Sequence, residues 1–182
     1  MGTTRWFAAI GVGIVMALSA AGCGDDDGGE VRTLDDGAGD SSSGSASAVA
    51  GECGAAGGVS TSGEADSEVE VTLGEWIVTL EPTSTTAGVV EFVATNGGSL
   101  DHELVIVAAE SPDELTVVEG KVDEDALPEG AFIGEIEAFE AGLTCDGYVD
   151  LAPGDYVLFC NLVEGDGTSH FESGMVTTFN VS

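Results

Sequence analysis

The sequence predicts an antiparallel β-sandwich occupying residues 67–182 of a 182-residue chain. Three observations predict it. Seven or eight short runs are rich in β-branched and aromatic residues, several with strict two-residue alternation; clusters of Gly, Pro, Asn and Asp separate them; and one brief helix signal interrupts the series.

In the first run, "VEVTL", Val69, Val71 and Leu73 share a face, and after Gly74 the in-phase set becomes Trp76, Val78 and Leu80. A phase change at a glycine marks a bulge or a turn between two strands. "GVVEFVATN" (88–96) and "HELVIVAA" (102–109) are the next strands, joined by the turn-rich "NGGSLD". At "SPDE", Ser111 stands as N-cap, Pro112 as first helical residue and Glu114 three after the cap, which predicts a short helix. An acidic excursion containing Gly and Pro runs on to about Gly130. "FIGEIEAF", "GYVDL", "DYVLFC" and "GMVTTFNV" complete the strands. "LAPGDY", 151–156, is similar to the tyrosine corner of Greek-key sandwiches, where a Tyr opening a strand ties back to the preceding loop. A plain Pro-Gly turn is the alternative and predicts the same sandwich.

The chain before residue 67 has another character. Residues 1–22 carry one charge, Arg5, and then an apolar or small run from Trp6 to Ala21 that is short for a membrane span and reads as a secretory signal peptide. It ends in "LSAAGC", which resembles the lipobox of bacterial lipoproteins, although Ala20 stands where leucine is commoner. That resemblance implies cleavage after Gly22, lipidation of Cys23, and anchoring to the outer face of the cytoplasmic membrane, in a periplasmic or cell-surface location. An ordinary signal peptide with an incidental cysteine is the alternative. Residues 23–66, dominated by Gly, Ser, Ala and Asp, bury too little apolar surface to offset their ordering entropy and read as a flexible stalk. A Gly-rich coil of that length spans on the order of 35 Å.

The formal net charge is −31, and loss of residues 1–22 leaves only Arg32 and Lys121 against all 34 acidic residues. Nucleic acid and anionic headgroups are thereby excluded as partners, since both need Lys and Arg to displace counterions. Such a surface is best tolerated where salt screens it.

The chain has two histidines, His102 and His170, and only Met175 among its methionines lies beyond the signal peptide. Both histidines and Met175 fall at predicted strand ends or in the loop after Cys160. Two imidazoles, a thiolate and a thioether make up the donor set of a blue-copper site, a His₂Cys plane with a weak axial Met. Strand phase puts His102 with Leu104 and Ile106, Cys160 with Leu158 and Tyr156, and Met175 with Phe179 and Val181, all inward at one end of the sandwich.

"VVEFVATNGGSLDHELVIV" and "LAPGDYVLFCNLVEGDGTSHFESGM" together resemble the cupredoxin family of small blue-copper proteins over residues 67–182. The resemblance implies a Greek-key β-sandwich with one mononuclear type 1-like copper held by His102, Cys160, His170 and Met175. It also implies that the ring edge of His170 lies near solvent as an electron port, with Leu162, Val163 and Phe171 as an apolar docking patch. One departure stands out: nine residues separate Cys160 from His170, where small cupredoxins have about two to four. A surface turn through "EGDG" accommodates them, or else the site is loosened and Glu172 contests the axial position.

With Cys23 lipidated and Cys160 on copper, Cys53 and Cys145 remain as an even pair for a disulfide in an oxidising compartment. A free or intermolecular Cys53 is the alternative. The function expected is a monomeric, membrane-tethered, extracytoplasmic one-electron carrier that meets a redox protein partner. The alternatives are a copper store or a donor to a copper acceptor such as a membrane oxidase, and a metal-free structural or adhesive sandwich. No enzyme is expected: one site consumes both histidines, and oxidase or reductase chemistry needs more.

Overall fold

Alternating burial along the strands produces two facing sheets. The computed structural model describes residues 53–182; the expected signal peptide, Cys23 and the stalk up to residue 52 lie outside the described residues. The strands are β1 (Ala55–Gly57), β2 (Ser67–Gly74), β3 (Ile77–Glu81), β4 (Ser84–Thr85), β5 (Gly88–Asn96), β6 (His102–Ala108), β7 (Val117–Val118), β8 (Lys121–Val122), β9 (Phe132–Phe139), β10 (Thr144–Leu151), β11 (Gly154–Phe159) and β12 (Val176–Val181). One sheet has the order β1-β9-β6-β11-β12-β4 and the other β10-β5-β2-β3, while β7 and β8 form a separate hairpin. Neighbours are antiparallel except β2 with β5 and β12 with β4.

The core between the sheets takes the predicted inward residues. Val69, Val71 and Leu73 meet Leu104, Ile106 and Phe179 there, all essentially inaccessible to solvent. Burying each such side chain contributes about 1.5–3 kcal/mol. Val78 and Leu80 keep the expected phase, but Glu75 and Trp76 form the two-residue connection of the β2–β3 hairpin, which carries the Trp76 indole out of the core.

β6 and β11 are buried on both faces: Leu104 to Val107 and Tyr156 to Phe159 are all buried. The second face is covered by the acidic excursion. Leu115, Val122 and Ala131 pack against the outward Val105, Val107, Val157 and Phe159. The expected helix is a single 3-10 turn, Pro112–Glu114, with the Ser111 hydroxyl accepting from the Asp113 N–H at 3.2 Å. It stops there because the chain turns extended at Leu115, which buries on the sheet.

The Tyr156 hydroxyl donates to the Ala152 carbonyl at 2.8 Å, the tie-back of a tyrosine corner. At the other end of the chain, residues 53–66, expected as stalk, lie on the sandwich. Cys53 is joined to Cys145 in a disulfide, β1 pairs with β9, and Ser60 bridges Tyr148. The bond links the segment leading into the edge of one sheet to a strand of the other, which holds this Gly-rich stretch in place. Among the described residues, no helix is long and apolar enough to cross a membrane.

Candidate metal centre

Three adjacent strand ends and one hairpin deliver the four residues of the expected donor set. His102 is the first residue of β6, Cys160 follows β11, and Met175 precedes β12. Since β11 lies between β6 and β12, these ends are neighbours. His170 comes from the β11–β12 connection, which is an ordered hairpin. The His170 N–H donates to the Leu162 carbonyl at 3.0 Å, Val163 bridges Ser169, and the Glu164 N–H donates to Thr168 at 2.9 Å. Gly167, at φ 91°, supplies the left-handed residue that closes the turn. The nine residues between Cys160 and His170 are therefore the two arms and tip of a β-turn.

The loop that leads into His102 is held by buried polar groups. The Asn96 side chain donates to the carbonyls of Leu100 and Phe139 at 2.9 and 3.0 Å and accepts from the Gly98 N–H at 3.0 Å. The carboxylate of Glu75, reaching over from the β2–β3 turn, accepts the N–H groups of Ser99 and Leu100 at 2.6 and 2.8 Å. These amides hold its pKa down at about 2. A Cβ at position 98 would sit 2.8 Å from His102 Nε2, so only glycine fits there. After Cys160, the Asn161 N–H donates to Glu103 at 2.9 Å and its side chain pairs with both backbone groups of Val122.

His102, Cys160 and His170 are fully buried and converge on one point. Nδ1 of His102 and Nδ1 of His170 lie 3.2 Å apart, and Cys160 Sγ is 3.2 Å from the second and 4.0 Å from the first. A point equidistant from these three atoms is about 2 Å from each, close to protein metal–nitrogen distances and slightly short for metal–sulfur. Met175 is fully buried beside them: its N–H donates to the His170 carbonyl and its carbonyl accepts from the Cys160 N–H, each at 3.0 Å. The donor set and its spacing fit a mononuclear type 1 copper site. Glu172 is exposed and stands outside this group.

Burial shapes the protonation of the metal-free site. It pushes the Cys160 thiol up to about 12 and, together with the neighbouring His170, lowers the pKa of His102. So raised, the Cys160 thiol keeps its proton until a cation replaces it. His102 Nε2 has no hydrogen-bond partner among the described residues; the nearest charge is Glu75 Oε1 at 3.7 Å.

His170 departs from the expectation of a solvent-facing edge. It is 0 % exposed, its Nε2 donates to Glu164 Oε1 at 2.9 Å, and the Trp76 indole stands edge-on to its ring with centroids 5.2 Å apart. The expected apolar patch is also largely enclosed. Leu162 packs on the core, Val163 is half-buried, and Phe171 stacks edge-on against Phe159. Among the described residues the large exposed apolar side chains are Trp76, Ile77 and Val118. Glu75, Trp76 and Glu164 were not legible as site residues in the sequence. The one signal was the length of the "CNLVEGDGTSH" gap, which holds Glu164.

No protein-family model and no curated protein matches the chain. Among solved structures, auracyanin B is similar at 20 % identity, over 70 % of this chain and 97 % of that one, with a TM-score of 0.53. A dithionite-reduced auracyanin from the photosynthetic bacterium Roseiflexus castenholzii matches at 20 % identity over 65 % of this chain and 99 % of its own, with a TM-score of 0.48. Auracyanin A, a "blue" copper protein from Chloroflexus aurantiacus, matches at 16 % identity over 63 % of this chain and 98 % of its own, with a TM-score of 0.42. By fold, the described domain is a cupredoxin-like β-sandwich.

Proposed function

We propose that this protein is an extracytoplasmic one-electron carrier that would hold one copper ion through His102 Nδ1, His170 Nδ1 and Cys160 Sγ, with Met175 as the fourth donor and Cys23 as lipid anchor. The observation that carries the reading is the buried convergence of two imidazole nitrogens and one thiol sulfur within 4.0 Å of one another. Copper held by these residues would supply a Cu(II)/Cu(I) couple for one-electron exchange between a donor and an acceptor redox protein. The chain supplies a dry cavity, a donor set between the preferences of the two oxidation states, and strand ends that resist rearrangement. Full burial of all three donors favours retaining the ion and moving electrons over releasing it to an acceptor. Trp76, edge-on to His170 and 36 % exposed, is the way outward, with Ile77 beside it as the apolar contact. A net charge of −31 selects partners with basic rims.

The test is the absorption spectrum of the copper-loaded domain. An intense orange-red band from Cys-to-copper charge transfer, lost in Cys160→Ser, is expected. A colourless protein that takes up no copper overturns the reading.

A further inference from the structure

We propose that Glu164 is a positioning residue for His170: its carboxylate fixes the ring with Nδ1 toward Cys160 and strengthens that nitrogen as a donor, so the long hairpin serves to lower the reduction potential of the site. This rests on the copper-carrier reading given above. Three observations lead to it.

The contact is direct, with His170 Nε2 donating to Glu164 Oε1 at 2.9 Å and the imidazole fully buried. A proton on Nε2 leaves the lone pair on Nδ1, the atom 3.2 Å from both Cys160 Sγ and His102 Nδ1. The carboxylate thus selects the tautomer that a metal requires.

The position of Glu164 is also built. Its N–H donates to Thr168, its carbonyl accepts from Gly167 at 2.8 Å, and the Thr168 N–H donates to Asp166 Oδ1 at 2.9 Å. Behind His170, the Ser169 hydroxyl donates to the Gly120 carbonyl and accepts from the Glu172 N–H, which ties this arm of the hairpin to the turn between β7 and β8. With both arms held, the carboxylate has a defined place under the ring.

The two histidines differ in this respect. His102 Nε2 has a carboxylate oxygen at 3.7 Å, beyond hydrogen-bond range, whereas His170 Nε2 has one in full contact. A carboxylate accepting the distal N–H of a ligating imidazole raises its basicity, and removing such a partner typically lowers metal affinity about 10–100-fold. A more basic imidazole favours Cu(II) over Cu(I). A hairpin shortened to the usual few residues has no place for this carboxylate.

Two measurements on wild type, Glu164→Gln and the exposed control Glu172→Gln decide it. In metal-free protein near pH 8, long-range ¹H–¹⁵N spectra read the His170 tautomer without involving copper. Wild type and Glu172→Gln are expected to show a protonated Nε2 and a bare Nδ1, and Glu164→Gln a shifted Nε2 resonance with loss of the single tautomer. In copper-loaded protein, Glu164→Gln is expected to raise the potential. If Cu(II) affinity falls about tenfold with Cu(I) affinity unchanged, the rise is about 59 mV; Glu172→Gln should leave it near wild type. Glu164→Gln matching wild type in both measurements, with the blue band intact, overturns the role of Glu164. A wild type with no blue band overturns the copper reading and with it the effect on potential, while the tautomer result still decides whether Glu164 orients His170.

Discussion

The indole of Trp76 stands edge-on to the imidazole of His170, ring centroids 5.2 Å apart at an interplanar angle of 74°. Trp76 sits at the tip of the β2–β3 hairpin, far along the chain from the Cys160–Met175 segment, and it is the exposed aromatic group in contact with the buried site. On the electron-carrier proposal, this ring lies between the imidazole and solvent. Trp76→Ala should leave the blue band in place, because the indole is not one of the four residues of the proposed site but packs edge-on to one of them. It should slow electron self-exchange and reaction with a soluble oxidant severalfold, as measured by stopped flow or NMR line broadening. Unchanged rates place the port elsewhere.

Glu75 predicts an acid dependence. Its folded pKa, about 2, is depressed below the ordinary carboxylate value of 4.5 by the N–H groups of Ser99 and Leu100. A group depressed on folding contributes stability that is fully present above the unfolded pKa and is lost as pH falls through the folded one. Urea midpoints of wild type and Glu75→Gln should therefore differ at pH 6 and converge as the pH drops from about 4.5 toward 2. A gap independent of pH contradicts this assignment.

The Cys53–Cys145 disulfide closes a loop with a sequence separation of 92. Removing a native disulfide from a small exported domain typically costs about 2–5 kcal/mol, and a loop this long belongs to the upper part of that range. The double variant Cys53→Ala, Cys145→Ala should show a urea midpoint lowered accordingly, together with faster hydrogen exchange in β1. A midpoint equal to wild type, or a free Cys145 thiol in a non-reduced digest, contradicts the pairing.

With 26 acidic residues against one basic residue, Lys121, in residues 53–182, the folded surface repels itself. The Debye length falls from about 30 Å at 0.01 M salt to about 3 Å at 1 M, so stability should rise steadily over that interval. Thermal midpoints in NaCl and in KCl measure this, and salt-independent midpoints contradict a surface adapted to saline surroundings.

The strands were legible wherever one face met the core. The alternation in 69–73 and the pairing of residues 78 and 80 appear unchanged as β2 and β3, and 88–96 and 132–139 are strands at the bounds read from sequence. The four residues of the cluster were legible from scarcity, since the chain beyond residue 22 has two histidines and one methionine to place. The continuous burial of β6 and β11 was less so. An apolar run such as "LVIV" does not say what covers its second face, and here the cover is the acidic excursion with Leu115, Val122 and Ala131.

By itself the sequence determined the periodicity, the strongly acidic balance, and a donor set suited to copper, because composition and phase are local properties of the chain. Tertiary structure alone decided which groups surround that set. Glu75 and Trp76 approach from a hairpin of the opposite sheet, and Glu164 meets His170 because "EGDGT" folds back as a turn. Those contacts arise from packing between segments distant in sequence, or from the exact closure of one turn, and no pattern of residues along the chain encodes them. They turn the imidazole expected at the surface into a buried, carboxylate-capped ring reached through an indole.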